Sequence, residues 1–394
     1  MSAARNAHET YAHLIAEGQL PKSITMMAEF NESGEYSHQL AKIYEEQNKL
    51  TDAISHYQSA SKKGHIASQE ALHRLAHYDK NSEAFYALAL LRENSPDLAT
   101  LVIRNYFEAA QLGHKQAFAC LQLQADMSNQ AAIVSLGELY LQGVPDIVEQ
   151  NVEYAIELFY RAATRKACEL LIDLADRKIN VKETNFVLGM LFEERRAITE
   201  HTNDSYFESA AGRDEFYKLT IFTYYLEAAK AGHLQSLNKI RAMACSSGPA
   251  RYWMGVFFQN GIPGILEPNH PAAIKLFYQQ GGDRSFRALE YISNSNSYAD
   301  EALYCMGLLT EEDRAEFDPL SNADTRRVEA YGFFERAAQI GHKLAIEKVN
   351  SKAPISLITL ARNRHTFLFH KIPPISASNL QIINAERKQD QPHP

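Results

Sequence analysis

The chain has 394 residues, 45% of them hydrophobic, enough apolar mass to bury a large core. Its formal net charge is -8, which argues against nucleic acid as a partner, because such binding needs a basic field to neutralise phosphates. No run approaches transmembrane length, and the N-terminus MSAARNAHETYAHL lacks an apolar signal core, so a cytoplasmic protein with no membrane span is expected.

In chain order, residues 1–35 are weakly patterned. Tyr11, Leu14 and Ile15 suit one helical face, and Pro21 precedes a second with Ile24 and Met27. An N-terminal helical cap is expected there, since an exposed first repeat would leave its stacking face in water. A self-similar unit then recurs: HYQSASKKGHIASQEAL from His56, NYFEAAQLGHKQAFACL from Asn105, TYYLEAAKAGHLQSLNKIRAMA from Thr223 and GFFERAAQIGHKLAIEKV from Gly332. LFYRAATRKACELLIDLA from Leu158 and LFYQQGGDRSFRALEYI from Leu276 are weaker copies. Such self-similarity means stacked repeats. The helix break is expected at Gly64, Gly113, Lys166, Gly232, Arg284 and Gly341, with distorted turns where lysine or arginine replaces glycine. Seven residues upstream stands an aromatic (Tyr57, Tyr106, Phe159, Tyr225, Phe277, Phe334), and four upstream an alanine in every copy except at Gln280. A second register centres on a small residue: Ala41, Ala89, Gly137, Gly189, Gly255 and Gly307. Each repeat therefore reads as a helical hairpin, the first helix carrying the small residue and the second the aromatic.

The spacings say where variation is allowed. From each break to the next small residue is 25, 24, 23, 23 and 23 residues, whereas from small residue to aromatic is 16, 17, 22, 36, 22 and 27. Insertions thus fall in the turn inside the hairpin, on one edge of a stack. The longest, 193–215, is polar and rich in charge, and disorder is expected for it ahead of a functional role. The repeats run over 36–350. Residues 351–370 are expected to form a C-terminal capping helix, and 371–394, with Pro373, Pro374 and a charged end, a flexible tail.

The Leu136-Gly137-x-x-Tyr140 pattern and the Tyr-x-x-Ala-Ala-x-x-Gly-His helix resemble the Sel1-like repeat family, kin of the tetratricopeptide repeat. The resemblance implies an all-α fold, a right-handed α/α superhelical solenoid of about six hairpins between cap helices. It also implies a non-catalytic scaffold or adaptor that binds a protein or peptide along a concave face. Two alternatives stand beside that reading: a bacterial effector, delivered into a host cell without a signal peptide and acting on membrane traffic, and a cell-wall-directed accessory protein. Secreted relatives of the second kind carry a stapling cysteine pair. Here Cys120, Cys168, Cys245 and Cys305 share no register, and free thiols are expected.

No motif of an enzyme, a metal centre or a cofactor site is found. His65, His114, His233 and His342 recur once per repeat, which marks them as structural residues rather than one ligand set. The candidate site is the inner wall of first helices. Three before the small residue stand Tyr86, Phe186, Tyr252 and Tyr304, beside the single tryptophan, Trp253. Four after it stand Glu45, Glu93, Glu193 and Glu311, near helix ends where a negative charge opposes the dipole. Six before it, Glu35, Glu83, Glu183 and Glu301 suit helix starts for the opposite reason. This aromatic stripe flanked by acid implies a partner with basic and apolar residues.

Overall fold

The computed structural model describes residues 34–196, 210–295, 297–315 and 323–351. The expected N-terminal cap, C-terminal capping helix and tail lie almost wholly outside the described residues. The chain divides into two compact units, Met1–Tyr217 and Lys218–Pro394. Among the described residues the structure is all helical, apart from a short 3-10 turn and two isolated β-bridges.

The helices come in threes. Repeat one is α1 (Glu35–Glu46), α2 (Leu50–Lys62) and α3 (Ile66–His77); repeat two is α4 (Ser82–Arg92), α5 (Ala99–Gln111) and α6 (Lys115–Asp126). Repeat three is α7 (Gln130–Gln142), α8 (Val152–Ala162) and α9 (Arg165–Asp176); repeat four is α10 (Val181–Glu193), α11 (Ala210–Lys230) and α12 (Leu234–Met243). Repeat five is α13 (Gly248–Asn260), α14 (His270–Gln280) and α15 (Gly282–Ser295); repeat six is α16 (Ala299–Glu311), α17 (Ala323–Gln339) and α18 (Lys343–Ser351). The hairpins of first and second helices are as expected, and the near-constant interval between them is itself a short helix. The end of the long insert is ordered too: residues 210–215 open α11, and Asp214 pairs with Arg195 at 2.8 Å. The stretch 197–209 lies outside the described residues.

The two registers meet at the core. A Cβ added to Gly137 would stand 2.5 Å from Cε1 of Phe159, and Gly255 with Phe277 and Gly307 with Phe334 give the same distance. The small residue is therefore the floor on which the aromatic of the second helix lies. Those three rings, with Tyr57, Tyr106 and Tyr225, are 3% exposed or less, and Ala60, Ala109, Ala228 and Ala337 are fully buried.

The second helices end in two ways. At Gly64, Gly113, Gly232 and Gly341 the backbone turns left-handed, with φ between 84° and 98°. The following histidine N–H then donates back to Ala60, Ala109, Ala228 or Ala337, which closes the last turn. Repeats three and five differ, and the expected breaks at Lys166 and Arg284 are corrected. Both residues lie inside third helices, α9 and α15. The break comes three residues earlier, at Ala163 (φ 45°) and Gly281 (φ 68°), each donating its N–H to the phenylalanine carbonyl, Phe159 or Phe277. An arginine from the next repeat then reaches these ends. Arg196 Nη2 donates to the Tyr160 carbonyl at 3.1 Å, and Arg314 Nη2 to those of Tyr278 and Gln279 at 2.7 and 2.9 Å. Glu194 and Glu312 hold both the arginine and the tyrosine hydroxyl, the latter at 2.9 Å in each case.

The same two repeats share their inner loop. Gly143-Val-Pro-Asp-Ile-Val148 and Gly261-Ile-Pro-Gly-Ile-Leu266 each close on a bridge, Val144 to Val148 and Ile262 to Leu266. Asn151 and Asn269 then cap the second helix, accepting from backbone N–H groups at 2.9 and 3.0 Å.

Candidate functional site

The recurrent histidines cap the third helices. Nδ1 of His65, His114, His233 and His342 accepts the backbone N–H three residues on, at 3.1 to 3.2 Å. That acceptance leaves the ring proton on Nε2, which in three of them points at a glutamate: Glu35 at 3.1 Å, Glu83 at 3.0 Å and Glu301 at 3.0 Å. These are the acidic residues six before the small residue. The glutamate therefore does more than complement its own helix dipole: it clasps the cap of the third helix. The His342 hydrogen bond, opposed by burial, holds the Glu301 carboxyl below its ordinary range.

Two rings of the aromatic stripe on the first helices are built into the same clasp. Tyr86 stacks on His114 with centroids 4.4 Å apart and leans on Tyr106 at 5.9 Å. Tyr304 stacks on His342 at 4.3 Å and leans on Phe334 at 5.6 Å. Tyr252 meets Phe277 at 5.7 Å, and its neighbour Trp253 carries the Lys230 ammonium 4.3 Å above its ring. Phe186 and the four other rings are half-buried.

The second acidic column is partly compensated. Glu45 accepts the Tyr57 hydroxyl at 2.7 Å and pairs with Arg74, which also reaches Asp79. Burial, then that hydrogen bond, pushes the Tyr57 phenol well above its usual range. Glu311 pairs with Lys348. Glu93 and Glu193 are exposed. Burial first, then the nearby Cys120 and Glu93, likewise raises the Tyr106 phenol.

What the sequence reading left out is the opposite wall. In repeat one a groove of about 830 Å³ runs between α1 and α3, with His38, Lys42 and Glu45 on one side and Glu70, Arg74 and Tyr78 on the other. Counting fourteen residues from the glycine break gives Tyr78 in repeat one and Met127 in repeat two; both are bare, at 85% and 70% exposed. Leu123, which occupies the Arg74 position in repeat two, is 61% exposed. Alignment on the break alone would have found these residues. Another groove, of about 660 Å³, lies between α14 and α16, with Tyr304, Glu301, Tyr278 and Lys275 in its walls.

None of the four cysteines is in a disulfide: Cys168 and Cys305 are buried, Cys120 is half-buried and Cys245 is exposed. Among the described residues no cluster of ligating side chains would hold a metal ion, and no helix is long and apolar enough to cross a membrane.

Comparison with known families places these hairpins. The model of the Sel1 repeat matches residues 38–65, 130–166 and 248–279. Those segments are the first and second helices of repeats one, three and five, so two of the three matches fall on copies that look weak when judged by their break. No curated protein matches the chain.

Proposed function

From a chain that carries three Sel1 repeats, a module that generally binds other proteins, we propose a non-catalytic scaffold that holds a partner peptide in the grooves between first and third helices. The carrying observation is the change of character along that row. In repeat one the groove is polar, and Arg74 is engaged by Glu45 and Asp79, which leaves Glu46 and Glu70 facing Lys42. In repeat two Leu90, Leu123 and Met127 stand at the positions of Lys42, Arg74 and Tyr78, with Asn94 and Ala119 at those of Glu46 and Glu70. A peptide with apolar anchors next to Lys or Arg suits both. On this reading the half-buried rings of Tyr86, Phe186, Tyr252, Trp253 and Tyr304 supply flat apolar edges. Glu45, Glu93, Glu193 and Glu311 supply the acidic margin.

Peptide display on the immobilised protein tests it. Enrichment of sequences pairing Leu, Ile or aromatic residues with Lys or Arg is expected, and Leu123→Glu with Met127→Glu should abolish their capture. Enrichment of acidic sequences, or undiminished capture by the double variant, would sink the proposal.

A further inference from the structure

The surface where α12, α13 and α14 meet differs in charge from its counterpart in repeat three, although the two repeats share spacing, inner loop and helix ending. A cavity of about 670 Å³ is lined there by Arg241, Cys245, Arg251 and Gln279, with Met254 and Phe258 as apolar wall. No carboxylate lines it. Among the described residues neither guanidinium has an acidic partner. Arg241 Nη1 reaches Asn238 Oδ1 at 3.4 Å, while Arg251 donates Nε and Nη2 to the carbonyls of Ala244 and Cys245 at 3.1 and 3.2 Å. Elsewhere in the chain Arg74, Arg177, Arg287 and Arg314 all pair with carboxylates.

Alignment on the glycine break and the small residue sets Gln122 and Asp126 at the end of repeat two, with Ile133 and Arg161 of repeat three, against Arg241, Cys245, Arg251 and Gln279. In repeat three Arg161 donates to the carbonyl of Ala125 at 3.3 Å, at the end of α6, where the next residue is the carboxylate-bearing Asp126. In repeat five Arg251 takes over that capping role at Ala244, from the first helix instead of the second. The carboxylate has become a thiol, and Arg241 is added with no scaffold duty. A surface that is neutral in one repeat carries two guanidiniums in the other, within a chain of net charge -8.

We propose that this cavity binds an oxyanion, phosphoryl or carboxylate, carried on an aromatic or aliphatic body. Arg241 supplies the forked donors that match such a group, Arg251, whose Nε and Nη2 are held by carbonyls, adds its charge and Nη1, and Met254 with Phe258 receives the body. The site lies at the junction of two repeats, apart from the groove between the first and third helices of one repeat, and calls for the opposite charge in its ligand.

Cys245 reports on it. It is the exposed thiol of the four. Burial pushes the Cys120 thiol up and that of Cys305 to about 12. The rate at which Cys245 reacts with an anionic aromatic disulfide, 5,5′-dithiobis(2-nitrobenzoate), is divided by its rate with neutral 4,4′-dithiodipyridine; the ratio cancels the ionised fraction of the thiol. Arg241→Gln, which removes no helix cap, should lower the ratio about threefold or more. Millimolar phenyl phosphate or benzoate should slow the reaction in the unmodified protein but not in the variant, and phenol in neither. Protection by phenyl phosphate alone assigns the site to phosphoryl groups; equal protection by benzoate assigns it to carboxylates generally. An unchanged ratio in Arg241→Gln, protection by phenol equal to that by the anions, or no protection by either anion overturns the proposal.

Discussion

At His342 one imidazole accepts the Ala345 N–H through Nδ1, donates to Glu301 through Nε2 and stacks on Tyr304. His342→Ala should destabilise the second unit by about 1 kcal/mol or more through the lost cap, and His342→Asn should recover the capping share but not the clasp. The two are separable by pH. The Glu301 carboxyl is held below its ordinary range, mainly by His342. Its contribution is therefore present above the ordinary carboxylate range and lost as pH falls through the lowered value. Thermal melts of Glu301→Gln should lie below those of the unmodified protein near neutrality and converge with them in acid; a constant gap would remove the charged carboxylate from the account. Composition and spacing identified these histidines as structural. They did not reveal the cap, because histidine lies outside the usual Ser, Thr, Asp and Asn set, nor the glutamate that reaches it across some thirty to forty residues.

Among the elements, the second helices of repeats three and five end without the glycine-histidine turn, and an incoming arginine supplies what the turn would have given. Arg314→Ala should cost about 1–2 kcal/mol in chemical denaturation, with its Tyr278 and Gln279 carbonyls left to water. Arg314→Lys should not restore it, because an ammonium cannot span two carbonyls, the Glu312 carboxylate and the Tyr278 ring at once. A lysine variant as stable as the parent would reduce the clamp to a point charge. Much of this level was legible in advance. The aromatic-on-small contact followed from two registers, and the equal 22-residue spacings of repeats three and five correspond to one shared loop. The misplaced breaks at Lys166 and Arg284 have a physical origin. The copies align on their aromatics, and a left-handed alanine at Ala163 leaves no compositional mark. The third helices were hidden by being regular: a constant interval looks like a joint, and their faces, such as Ile66, Leu234 and Leu344, carry exposed apolar residues that blur the pattern.

For the molecule as a whole, each unit has its own buried core, and the net charge of -8 sits on a surface where many carboxylates already have partners. Long-range steering of a basic peptide should be modest and screened. Its association rate should fall by severalfold between about 0.05 and 0.5 M salt, with dissociation little changed. Stopped-flow measurement that found the salt effect in dissociation instead would mean that buried ion pairs, not the acidic margin, govern recognition. The arginine clamps set a further limit, on how the chain can be shortened or rearranged. Arg196 and Arg314 each reach back 36 residues to finish the repeat before their own. A chain that stops after repeat three or five strands the end of a second helix, and one that stops after repeat two or four strands the end of a third helix, to whose carbonyls Arg161 and Arg251 of the following repeat donate. A piece that is cut out, duplicated or grafted therefore keeps its last helix ends closed only if it carries with it the arginine of the repeat that follows.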